Sequence, residues 1–174
     1  MTTPKQGQDE LYAEAIAQHG AALARLTSAY ERDADKRRDL EQDIHFALWK
    51  SFAGFDGRCS LRTWAYRVAH NVASSHAAGE KRRRRGQTGL DAADAAPSAD
   101  NPESAASDAQ ALEKLMALIR DLAPIERQVM LLYLEDLDAA AIAEIVGLSP
   151  GAVATRIHRL KTLLADRFNA GGAP

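Results

Sequence analysis

Cations, hydroxyls, amides and aromatic rings carry most of the chemical potential of this chain, and three groups of them stand out. Five cations run consecutively as Lys81-Arg82-Arg83-Arg84-Arg85. Thr155, Arg156, His158, Arg159 and Lys161 crowd one short stretch. Arg58, Ser60, Arg62, Thr63, Trp64, Tyr66, Arg67 and Asn71 interleave donors with aromatic rings. Cations hold phosphates, rings stack on unpaired bases and amides bond base edges, so nucleic acid is one reading of these groups; a solvated helix end for the basic run and a core position for Trp64 are the competing ones. A fourth group, Asp39, Glu41 and Asp43 followed by Trp49 and Phe52, reads either as charge suited to a helix start or as a docking surface for a basic partner. Catalytic chemistry is poorly supplied. Glu41 and His45 are one helical turn apart, but no second pair stands at metal-ligand spacing, and there is no glycine-rich phosphate loop. Cys59 has no base partner near it in sequence. The expectation is a chain that is not an enzyme and has no metal or cofactor.

These groups need elements to position them, and the apolar pattern is helical almost throughout. Tyr12, Ile16, His19, Leu23, Leu26 and Tyr30 recur at steps of three and four over residues 10–31, which is one helical face. Leu40, Ile44, Leu48 and Phe52 stripe a second helix over 36–52, which Gly54 and Gly57 end. Ser60 caps a third, with Leu61, Trp64, Ala65, Val68 and Val72 as its buried side and Thr63, Arg67, His70, Asn71 and Ser74 opposite. It fades into the basic run near residue 82. From Gly86 to Asp108 the composition turns to Ala, Asp, Ser, Pro and Gly, with Leu90 the sole large apolar side chain, which predicts a flexible linker.

Charge is segregated along the 174 residues in the same way. Residues 1–90 hold 15 Lys/Arg against 11 Asp/Glu, 91–111 hold none against 5, and 112–174 hold 7 against 8. The net −2 therefore hides a basic N-terminal part and an acidic linker.

Helices resume with Leu112, Leu115, Ile119 and Leu122, then with Pro124 opening a helix that buries Ile125, Val129 and Leu132. Asp138 caps a short helix that Gly147 ends, and Ser149-Pro150 starts another carrying Val153, Ile157, Leu160 and Leu164. Two helices joined by Gly147-Leu148-Ser149 predict a helix-turn-helix, with small Ala143 and plugging Val153 between them. Its second helix would present Thr155, Arg156, His158, Arg159 and Lys161 to a major groove. A plain helical hairpin with a solvated polar face is the competing reading.

At this point the sequence resembles a family, the extracytoplasmic-function (ECF) sigma factors of bacterial RNA polymerase. Residues 39–49, DLEQDIHFALW, resemble the helix that binds core polymerase; 60–72, SLRTWAYRVAHNV, resemble the helix that meets the minus-ten element. Residues 122–129, LAPIERQV, with IAEIVG at 142–147 and GAVATRIHR at 151–159, resemble the domain that reads the minus-thirty-five element. The resemblance implies an all-α protein of two small helical domains joined by a flexible acidic linker, divided as 1–85, 86–108 and 109–174. It implies that Asp39, Gln42, Asp43, Leu48 and Trp49 dock on the largest subunits of core polymerase. Arg58, Ser60, Arg62, Thr63, Trp64, Tyr66, Arg67, Asn71, Lys81 and Arg82 would melt and hold the minus-ten element. Ser149, Thr155, Arg156, His158, Arg159 and Lys161 would meet the minus-thirty-five duplex of promoter DNA. An anti-sigma factor is the further partner it suggests. Glu41 stands where the family often has an apolar residue, Ala154 where it often has Lys or Arg, and the last helix is less basic than usual. Weak DNA binding by the isolated chain is the expectation.

An autonomous helix-turn-helix regulator and a protein that only sequesters a partner are the alternatives. The first needs a sensing pocket in the N-terminal part. The second predicts no loss of promoter output when Arg156 and Arg159 are replaced. No apolar run approaches the roughly 20 residues of a bilayer span, and Met1 to Glu10 lack the apolar core of a signal peptide. One cysteine excludes an internal disulfide. Six residues follow Phe168 in this sequence, so no appended regulatory domain is expected. A soluble, cytoplasmic, nucleoid-associated chain is expected.

Overall fold

A computed structural model describes residues 7–86 and 105–171. The described residues form seven α-helices and one 3-10 turn, and among them there is no strand. Helix α1 (Gln8–Tyr30), α2 (Ala34–Ser51) and α3 (Leu61–Gly86) make an N-terminal bundle, with the 3-10 turn Phe52–Gly54 between α2 and α3. Helices α4 (Ala105–Arg120), α5 (Pro124–Leu134), α6 (Ala139–Val146) and α7 (Pro150–Ala170) make the C-terminal one. The predicted linker lies largely outside the described residues. Its predicted ends are helical: Gly86 closes α3, and the Ala-rich stretch from Ala105, alanine being the strongest helix former, already belongs to α4.

The boundaries follow local chemistry. Asp33 accepts from the Asp35 and Lys36 amides at 3.0 Å, capping α2. Ser60 Oγ accepts from the Thr63 amide at 3.0 Å, capping α3. The α2 stripe is as the pattern predicts: Leu40, Ile44, Leu48 and Phe52 are all buried, in the same apolar cluster as Leu23 of α1. In the C-terminal bundle Ile119, Val129, Leu132, Ile142, Val153 and Leu160 are fully buried. Leu112, predicted to be core, is half exposed in the middle of α4.

The two bundles also pack on each other, α1 against α4 and α3 against α6, and their buried residues form one continuous apolar cluster. No single described helix is long and apolar enough to cross a membrane.

Candidate nucleic-acid interface

The helix-turn-helix has the expected construction. Asp138 Oδ1 accepts from the Ala141 amide at 2.8 Å, and Ser149 Oγ from the Ala152 amide at 3.2 Å, so each helix begins on a side-chain cap. Gly147 sits at φ 73°, the left-handed residue that ends α6. The α6–α7 bend is 106°, within the range typical of this motif. Val153 is fully buried and Ala143 nearly so, which lets the two helices touch.

On α7, Thr155, His158 and Arg159 are exposed, and Arg156 half-buried. Thr155 donates back to the Gly151 carbonyl at 3.0 Å. Arg159 is paired with Glu126 of α5, which fixes the direction of its guanidinium. Two more of the expected residues have intramolecular partners. Ser149 is engaged as the cap, and Lys161, exposed at the far edge of the face, leans over the Tyr133 ring at 5.5 Å.

The N-terminal group is divided more sharply. Trp64 fastens the loop before α3: its Nε1 donates to Ser51 Oγ at 2.9 Å, and Phe55 packs edge-on against it at 5.3 Å. Gly57 at φ 74° turns that loop, and Arg58 is exposed and paired with Asp56 at 3.0 Å. Thr63 and Tyr66 are buried, at 5% and 2% exposure, and His70 at 1%. The expectation that Thr63 and His70 sit on an outward polar face is therefore corrected, and neither Thr63 nor Tyr66 presents a surface for DNA. The reason is that α3 is covered on three sides, by α1, α2 and α6, so its polar face narrows to a strip. Asn71, Lys81 and Arg82 remain exposed on it. Glu80 holds Lys36 of α2 at 2.6 Å and Arg83 at 2.9 Å, anchoring the start of the basic run.

His70 is the most perturbed group. Burial alone lowers its imidazole to about 3, and Nδ1 is hydrogen-bonded to the Tyr30 hydroxyl at 3.1 Å. Cys59 is half-buried, and that burial pushes its thiol up, disfavouring the reactive thiolate.

On α2, Asp39, Gln42, Asp43 and Trp49 are exposed along one face, whereas Leu48 is fully buried. Leu48 is a core residue in this fold and does not reach that surface. Sequence reading missed Phe46, which is 64% exposed on the same face; the spacing 39, 42, 43, 46 was the available signal. Trp49 is 40% exposed, and its Nε1 donates to Asp9 of α1 at 2.7 Å. Among the described residues no cluster of His, Cys, Asp or Glu is arranged to hold a metal.

Residues 15–85 match sigma-70 region 2, and residues 112–164 match sigma-70 region 4. The chain belongs to the sigma-70 family. Its curated relatives include the ECF RNA polymerase sigma factor SigG of Mycobacterium tuberculosis, 28% identical over 165 residues. That match covers 78% of this chain and only 45% of SigG, so the chain spans under half the length of that relative. The ECF RNA polymerase sigma-E factor of Haemophilus influenzae is 23% identical, with 94% of this chain and 90% of the relative covered. Among solved structures, the sigma factor RpoE of Bartonella quintana, in complex with the anti-sigma factor NepR, shares the fold. Its TM-score is 0.70 at 18% identity, over 89% of this chain and 94% of that one. In sigma-70 terms, α1–α3 are region 2 and α4–α7 contain region 4.

Proposed function

We propose that this chain acts as an ECF sigma factor, binding core RNA polymerase and directing it to promoters, with no catalytic reaction of its own. The observation that carries the reading is the coexistence, in order, of both sigma-70 regions, each offering an exposed polar face. The α2 face with Asp39, Gln42, Asp43 and Trp49 docks on the largest polymerase subunits, and Phe46 joins it as a central apolar contact. Arg58, Arg62, Arg67, Asn71, Lys81 and Arg82 hold the melted minus-ten strand, where extruding a base costs a few kcal/mol that protein contacts must offset. Thr155, Arg156, His158 and Arg159 read the minus-thirty-five element as duplex. The working division is 1–85, 86–108 and 109–174, acting in the cytoplasm on the nucleoid. An inhibitor of the anti-sigma kind is a further proposed partner, supported by the complex in which a protein of this fold was solved.

In vitro transcription with core polymerase on fragmented host DNA tests the assignment. New transcripts whose start sites share an upstream motif are expected only when the chain is added. Active core and folded chain without new transcripts would overturn it in favour of an autonomous regulator. Replacing Arg156 and Arg159 together with Ala is expected to lower that output at least about tenfold, at roughly 1–3 kcal/mol per lost base contact.

A further inference from the structure

Among the described residues, three arginines reach from one bundle to a main-chain carbonyl near the C-terminal end of a helix in the other. Arg62 Nη2 donates to the Glu135 carbonyl at 2.5 Å, at the C-terminus of α5. Arg67 Nη2 donates to the Glu144 carbonyl at 2.9 Å, in the last turn of α6. In the opposite direction Arg120 Nη1 donates to the Ser28 carbonyl at 2.7 Å, in the last turn of α1. Helix C-termini present unpaired carbonyls and about half a negative charge each, so they attract cations as a phosphate does. A full charge joins them. The Glu135 carboxylate is gripped in fork geometry by Arg25, Nε to Oε1 at 2.8 Å and Nη2 to Oε2 at 2.7 Å.

Arg62 and Arg67 are also two of the cations proposed to hold the minus-ten strand. The α5–α6 turn therefore stands where that strand's phosphates would be, and Asp136 at φ 58° is the non-glycine residue in a left-handed conformation that bends it there. Arg62 is not fully satisfied: its Nε is buried without an acceptor among the described residues, so this protein partner uses only part of its donor set. The α7 face is outside the contact, since Thr155, His158 and Arg159 are exposed.

We propose that the strand-binding face of α3 has a second, intramolecular partner, the α5–α6 turn with Glu135 as a phosphate mimic, and that this turn and single-stranded DNA exclude one another. The closed chain thus keeps its duplex-reading helix open and its strand-reading face occupied. The proposal rests on the minus-ten reading of Arg62 and Arg67.

The test uses the full chain without polymerase and a fluorescent, randomised 15-nucleotide single strand, with a mixed-sequence duplex as control. Arg25→Ala removes a cation that is not in the proposed DNA face. Simple electrostatics predicts weaker DNA binding for it. Release of the turn predicts the reverse: single-strand affinity rising about threefold or more, on the scale of an exposed bidentate pair, with duplex affinity not rising. Glu135→Ala is expected to do the same. The Arg25→Glu, Glu135→Arg double variant, with wild-type net charge, is expected to return affinity to the wild-type level. Small-angle X-ray scattering reports opening as a larger radius of gyration in both single variants, and circular dichroism melting checks that each is folded. Folded single variants that stay closed, or that open without gaining single-strand affinity, overturn the proposal. Arg62→Ala and Arg67→Ala in holoenzyme transcription test the underlying reading separately; unchanged promoter opening there sinks the minus-ten assignment while scattering still reports the clasp.

Discussion

His70 is buried where the two bundles meet, its ring edge-on to Tyr30 and its Nδ1 on the Tyr30 hydroxyl. Arg25 and Glu135 line the small cavity beside it. Because burial lowers its imidazole to about 3, the folded chain keeps it neutral, whereas the unfolded chain protonates it near 6.5. The associated stability is intact above pH 6.5 and is lost as pH falls from there toward 3, since only the unfolded state gains the proton. Thermal melting is expected to show a lower Tm at pH 5 than at pH 7.5. The His70→Phe variant should show a shallower dependence over the same range; an unchanged slope would place the loss elsewhere. His19, also lowered by burial and by Arg62, acts in the same direction, so the variant's slope does not vanish. Sequence periodicity put His70 and Thr63 on the solvent side of α3 because it counts only one buried stripe. A helix packed on three sides buries two further rows, and nothing in the local sequence marks the neighbours that cover them.

At the scale of elements, the pattern was far more informative where caps and spacing act locally. The Asp138 and Ser149 caps, the left-handed Gly147 and the Val153 plug are all present as read, because each depends on residues within a few positions of one another. Gly147→Ala must place a side chain at φ 73°, where no neighbouring atom crowds it but the backbone itself is strained. A loss of about 1 kcal/mol in stability is expected from chemical denaturation, with a matching fall in minus-thirty-five duplex binding if the α6–α7 angle shifts. Leu40→Ala in the middle of α2 leaves a hole in a fully buried site and is expected to cost about 2–5 kcal/mol. Boundaries were less legible. The α4 start at Ala105 falls in the predicted linker because that stretch has no large apolar side chain before Leu112, so its alanines carry helix propensity without a periodic stripe.

For the whole molecule, the relative placement of the bundles had no sequence signal at all. Arg25, Arg62, Arg67 and Arg120 are unremarkable cations until the fold sets them on the ends of helices more than 70 residues away. The proposed docking surface on α2 lies on a different helix from the covered strip of α3. Core polymerase is therefore expected to bind the closed chain, and Phe46→Ala with Trp49→Ala should weaken that capture in a pull-down while leaving the scattering profile of the unbound chain unchanged. Loss of capture together with an altered scattering profile would mean that these rings support the fold instead.

Arg67 bonds a carbonyl that every amino acid possesses. Substituting Glu144 leaves that acceptor in place, and so does any side-chain change at 135 for the carbonyl that Arg62 holds. Side-chain changes at 135 and 144 can thus adjust the Arg25–Glu135 pair but not the carbonyl contacts, while Arg120 and the apolar residues between the bundles set the closure elsewhere. The two carbonyl contacts from α3 change only through Arg62 and Arg67 themselves, where the same substitution would also alter the proposed contact with the promoter strand. Under the proposed exclusion, these two traits are inherited together: a lineage drifting toward a new minus-ten preference at either position changes, in the same step, how readily the free chain opens.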